Sequence, residues 1–166
     1  MSTTITSRDR LAAAKHILKT ARFPTPFYMD GKIAVLNSYY GVFLNEPFTG
    51  LPEPRPDSPY PPELFRRIFS SLSEFAPWDE ELPAVPVVKE VLKNAGKGEH
   101  PKFHFNCEEY AWRADYLLDV LKLIGPAEEM FIGSGRYAGY LVLKGSKGNA
   151  LVLACRIEKE KKNHDA

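Results

Sequence analysis

His100, His104 and Cys107 fall at i, i+4 and i+7 with Glu108 beside the thiol, and all four are side chains of the types that bind zinc. A structural zinc site takes four ligands, and His16 and His164 stand far away in the chain. Pro101 and the alternating run Phe103-His104-Phe105 also break helical geometry, so the three would not share one face. No metal centre and no cofactor is therefore expected. A cysteine at a helix start gains thiolate character, and His104 is a nominal base, so a small cysteine-dependent enzyme around Cys107 is one reading. Nothing marks an oxyanion hole or a third catalytic member, and no catalytic residue is assigned. Gly133-Ser134-Gly135 and Gly145-x-x-Gly148 join strands, whereas a phosphate loop opens a helix.

The other chemistry is electrostatic. Arg8, Lys15, Lys19 and Arg22 recur on one stripe of the first helix, opposite an apolar stripe of Leu11, Ala14, Leu18 and Ala21 with Ile17 beside it. A basic stripe of this kind suits phosphate oxygens without reading bases, and the ordinary alternative is a solvated helix face. These four residues are the candidate DNA-binding set. The prolines at 47, 52, 54, 56, 59, 61 and 62 contain two PxxP spacings, Pro56 to Pro59 and Pro59 to Pro62. That segment reads either as a polyproline docking element or as a stiff excursion loop.

Composition narrows the class. A chain of 166 residues with 44% hydrophobic and 26% charged residues has enough apolar content for one domain with its own core. Its net charge of +1 argues against a protein that coats nucleic acid. Cys107 and Cys155 form no CxxC pair, and the first residues hold no long apolar run, so reduced thiols, no membrane partner and a cytoplasmic location are expected.

These groups need elements to hold them. Thr6 or Ser7 caps a first helix, with Asp9 reaching back, and Phe23-Pro24 ends it. Phe27 to Leu44 reads as two or three antiparallel strands turning at Asp30-Gly31 and Asn37-Ser38. Pro62 opens a second helix whose buried face is Leu64, Phe65, Ile68, Phe69 and Leu72. Residues 74–83, with Trp78 and an acidic run at 79–81, read as a loop, and Val85 to Leu92 as a short helix closing at Gly96. Lys102 to Phe105 is predicted to be a short strand. Asn106 then caps a long helix to Ile124, with Glu109 as its box partner and Trp112 half-buried on its side. Met130 to Ile132, Tyr140 to Leu143 and Ala150 to Ile157 read as strands, and residues 158–166 as a charged tail.

The two ends of the chain thus repeat one plan, a helix followed by a small antiparallel sheet, over 7–44 and again over 102–157. Phe105-Asn106, then Tyr116-Leu117-Leu118-Asp119-Val120-Leu121, then the closing run Leu151 to Ile157, resemble the C-terminal domain of the bacterial DNA polymerase III β sliding clamp. In that family a Phe-Asn precedes a Tyr-Leu-Leu-Asp-x-Leu helix and the chain closes on Met-Pro-Met-Arg-Leu; here Leu153-Ala154-Cys155 stand in the Met-Pro-Met place. The resemblance implies a single α+β domain of DNA-clamp type: two repeats, two helices against two small antiparallel sheets, and a Pro-rich and helical insertion over about 45–101. It implies a non-enzymatic scaffold or binding module that contacts DNA through phosphates and self-associates as a homo-oligomer through sheet edges. Glu108, Glu109, Asp115 and Asp119 on the second channel helix would weaken that DNA surface. The alternative is a mobile-element protein that binds replication or host proteins through its Pro-rich loop.

Overall fold

The computed structural model describes residues 5–157. The chain is α+β. Helix α1 (Ser7–Lys19) begins at Thr6, whose hydroxyl accepts the Asp9 amide while the Asp9 carboxylate takes the Thr6 amide, the reciprocal box expected from the sequence. Strands β1 (Phe27–Met29), β2 (Lys32–Leu36) and β3 (Tyr40–Leu44) follow as an antiparallel meander. Asp30 and Gly31 both take positive φ, 51° and 78°, at the two-residue turn. Asn37 shapes the next turn by accepting the amides of Tyr39 and Tyr40 on its side-chain oxygen.

Helix α2 (Pro62–Ser70) opens on proline as expected. A two-residue strand β4 (Ala76–Pro77) lies where a loop was expected, and α3 (Val85–Lys93) follows. Next come β5 (Lys102–Phe103), β6 (Tyr110–Arg113) and α4 (Ala114–Ile124). The chain closes with β7 (Ala127–Ile132), β8 (Tyr140–Gly145), β9 (Gly148–Leu153) and β10 (Cys155–Arg156).

One seven-stranded antiparallel sheet, in the order β1-β2-β3-β9-β8-β7-β4, organises the domain. This corrects the expectation of two separate small sheets, because β3 and β9 pair directly from Tyr40 opposite Val152 to Leu44 opposite Gly148. Gly148 permits the junction: a Cβ there would strike the Phe43 carbonyl. The plan of a helix then a three-strand meander does occur twice, as α1-β1-β2-β3 and α4-β7-β8-β9, with the two meanders joined back to back at the centre. A small second sheet, β10-β6-β5, stands beside it.

Both faces of the large sheet are covered, which is why β3 is buried at every position rather than at alternate ones. Ile33, Val35, Val42, Leu141, Leu143, Ala150 and Val152 point to a core shared with α1, α3 and α4. Ala34, Leu36, Phe43, Val142 and Leu151 point the other way, against Phe65 and Ile68 of α2, Phe75 and Tyr137. Leu64, expected in that buried face, is instead 49% exposed.

The sheet's edges are covered too. Arg55 lies between two prolines and is pinned to β1 by its amide to the Pro26 carbonyl at 2.9 Å and its carbonyl to the Tyr28 amide at 2.8 Å. Arg55 of the Pro-rich run thus covers part of the β1 edge. At the far edge β4 places Pro77, whose ring has no N–H to offer. The small sheet ends in β10 and β5, and β4 pairs only with Phe131 and Ile132 of β7.

The long helix does not start at Asn106. Phe105 and Asn106 adopt φ of 46° and 60°, left-handed conformations that turn β5 back into β6. Helix α4 begins only after Arg113. Trp112 accordingly sits on β6, fully buried, donating its indole N–H to the Gly139 carbonyl at 3.3 Å, and is not half-buried on a helix. The closing strand also breaks at Ala154, so Cys155 and Arg156 pair with Ala111 and Tyr110 in the small sheet. The charged tail, 158–166, lies outside the described residues.

Candidate functional site

Helix α1 carries Arg8, Lys15 and Lys19, all exposed, and none of them forms an ion pair among the described residues. Arg22 is exposed as well, but the helix ends at Lys19 and the Arg22 guanidinium lies over the Phe23 ring at 5.6 Å. The stripe on the helix thus has three members rather than four. Its expected companion is missing from the surface. Helix α4 packs between α1 and α3, and every residue from Ala114 to Ile124 is buried or half-buried. The acids thought to oppose DNA there are placed differently: Glu108 and Glu109 precede the helix, Asp115 is held bidentately by Arg113, and Asp119 is buried.

Cys107 and His104 lie in the β5–β6 turn rather than at a helix start, and the Cys107 amide donates to the His104 carbonyl. Without a helix dipole, burial prevails and pushes the Cys107 thiol above its ordinary pKa, the reverse of an activated nucleophile. No group of three metal-binding side chains gathers among the described residues. His100 and His104 line a cleft of about 470 Å³ with Cys155 and Arg156, and His100 Nδ1 lies 3.0 Å from the Arg113 guanidinium.

Two buried charges of the helical layer are absent from the sequence-based set. Asp119 of α4 is 6% exposed, and its Oδ2 takes the Tyr40 hydroxyl at 2.7 Å and His16 Nδ1 at 2.6 Å. Burial raises the Asp119 carboxyl above its usual range while the bonds from Tyr40 and His16 oppose that rise. Burial, then the Asp119 charge, raises the Tyr40 phenol. Tyr40 stacks on Tyr116 with ring centroids 4.0 Å apart, and the Arg113 guanidinium covers the far ring at 4.3 Å. A histidine oriented by a buried carboxylate is half of a general-base device. Among the described residues no hydroxyl or thiol hydrogen-bonds its second nitrogen, and the trio links α1, α4 and β3.

Arg10 of α1 is the other buried charge, 8% exposed. It falls four residues before Ala14 and seven before Ile17, so a cation on the apolar stripe was the available signal.

An apolar opening lies on the opposite face. A groove of about 190 Å³ runs between the β2–β3 turn, α2 and the ends of β8 and β9, walled by Leu36, Tyr60, Ile68, Tyr140 and Leu153. Tyr39 and Leu64, at 57% and 49% exposure, stand on its rim. Tyr60 comes from the Pro-rich segment, which thereby contributes one wall.

Comparison with protein-family models, curated proteins and solved structures finds no match to this chain. No helix among the described residues is long and apolar enough to cross a membrane.

Proposed function

We propose that this chain is a non-enzymatic binding module that self-associates through the apolar groove bordered by Tyr39 and Leu64. The observation carrying this reading is that one patch supplies both parts of a contact: a groove walled by apolar side chains and two protruding apolar side chains on its rim. A surface with knob and hole side by side is suited to an isologous contact, in which each copy inserts into the other. Exposed aromatic side chains such as Tyr39 are common anchors of such contacts. Light scattering across a concentration series tests it. The wild type is expected to rise from the 18.7 kDa chain mass toward twice that value, and Leu64→Glu or Tyr39→Ser to remain at the chain mass. A wild type that stays at the chain mass throughout, or a Leu64→Glu variant that associates equally well, sinks the proposal.

A second reading rests on α1. Arg8, Lys15 and Lys19 are solvent-facing and unpaired among the described residues, which suits contact with nucleic-acid phosphates. This keeps the DNA part of the clamp-like expectation, carried by one helix. Three phosphate contacts give a slope of log affinity against log salt of roughly −2.7 on duplex DNA. Lys15→Gln with Lys19→Gln should reduce that slope by about two-thirds. Binding that ignores salt, or a double variant with an unchanged slope, removes this reading.

A further inference from the structure

We infer that Arg10 and the wall around it form a binding site for a small oxyanion, with a phosphate group on a small molecule as its ligand. Arg10 is 92% removed from solvent by its 8% residual exposure, and no carboxylate lies within ion-pair distance of it among the described residues. One nitrogen donates to the Leu123 carbonyl at 2.7 Å, near the C-terminal end of α4. The Phe48 ring lies 4.4 Å from the guanidinium carbon. Nε has no partner, and it is the one buried side-chain nitrogen or oxygen of the described residues left so. Guanidinium has five N–H donors and cannot shed its proton to escape burial. Support of the α4 terminus accounts for one donor. It leaves the charge without a counter-charge, which the interior strongly disfavours.

The space beside it fits a counter-charge brought from outside. Arg10 lines a cavity of about 330 Å³ with Asn45, Glu46, Pro47, Ser146 and Lys147. Two backbone bonds fix this wall: Asn45 N–H to the Lys147 carbonyl, and Lys147 N–H to the Ile124 carbonyl. Lys32 donates to the side-chain oxygen of Asn45. The wall therefore combines two cations, a hydroxyl and an amide with one carboxylate, Glu46. A cavity of this size falls at the lower end of small-molecule sites, larger than a bare ion needs. Arginine presents the planar donor fork that phosphate oxygens accept.

Thermal shift and amide NMR titrations with inorganic phosphate, against sodium chloride at matched ionic strength, test the site on the full chain. Wild type should gain stability and shift the amides of Asn45, Ser146 and Lys147 with phosphate only. Arg10→Met should lose the phosphate-specific response. Lys147 and Glu46 are exposed, so their variants leave the fold intact: Lys147→Gln should bind about tenfold more weakly and Glu46→Gln several-fold more tightly. Equal responses to phosphate and chloride in the wild type overturn the proposal. So do unchanged affinities in Lys147→Gln and Glu46→Gln, or a stronger response to acetate than to phosphate.

Discussion

Helices α1 and α4 occupy matching places in the two halves of the sheet, yet they solve different problems. Helix α1 shows its charged face to solvent, while α4 is enclosed between α1, α3 and the sheet. Each sends one charge inward toward the other: Arg10 reaches a carbonyl of α4, and Asp119 reaches His16 of α1. Asp119 is met by two side-chain donors, whereas Arg10 keeps an unpartnered nitrogen beside a cavity. A satisfied buried polar network fixes how elements dock, and an unsatisfied one leaves a demand that a ligand can meet.

The largest break in this comparison comes from the apolar contacts. Leu117 of α4 is fully buried and Leu11 of α1 only partly. Leu117→Ala should cost about 4 kcal/mol in chemical denaturation, and Leu11→Ala about 1 kcal/mol. Comparable losses would mean that Leu11 is packed as deeply as Leu117. Next come the charges. Asp119→Ala strands the Tyr40 hydroxyl and should cost about 3 kcal/mol. Arg10→Met replaces an uncompensated cation by an apolar chain of similar length, and should stay within about 1 kcal/mol of wild type in anion-free buffer. A large loss in Arg10→Met would make Arg10 a structural brace first and a ligand group second.

A smaller effect separates the helix starts. Thr6 caps α1 through its side chain, and no side chain caps α4. Thr6→Ala should lower stability by about 1 kcal/mol and speed hydrogen exchange in the first turn of α1. Arg113→Ala should leave exchange at the first turn of α4 unchanged, since tertiary packing holds that end.

Much of α1 was legible because its signals are local: the Thr6–Asp9 box and apolar residues three or four apart, although the helix ends at Lys19, ahead of the expected stop at Pro24. The Asp30-Gly31 turn and the Pro62 helix start are local in the same way. The α4 end was misread for the opposite reason. Asn106, followed by an acid three residues on, satisfies the capping pattern, but Phe103 opposite Trp112 in the small sheet outcompetes it and turns the chain at Phe105-Asn106. Neither β4 nor the junction of β3 with β9 could be read, since strands this short take their identity from partners far away in sequence. The site residues follow that division. Arg8, Lys15 and Lys19 were visible as a stripe, while Arg10 and Asp119 gain meaning only when α1 and α4 are placed side by side.

The smallest effect has a sign that differs between the two helices. Burial raises Asp119, so the folded state holds that proton more tightly than the unfolded chain does. Its contribution to stability is present below the unfolded carboxylate pKa and is lost as pH rises through the folded value. Asp9 is lowered by its bond from the Thr6 amide and then by the Thr6 hydroxyl, so its contribution is present above the unfolded pKa and is lost as pH falls through the folded value. The groups facing Asp119 are His16 from α1, Tyr40 from β3 and Lys122 of its own helix. Working in a His16→Gln background removes the imidazole's own titration. Denaturation midpoints from pH 3 to 7 should then show the parent losing ground to Asp119→Asn as pH rises, and gaining over Asp9→Asn. Two differences with the same slope would show that burial does not govern Asp119, and that the enclosed helix is not enclosed at its buried carboxylate.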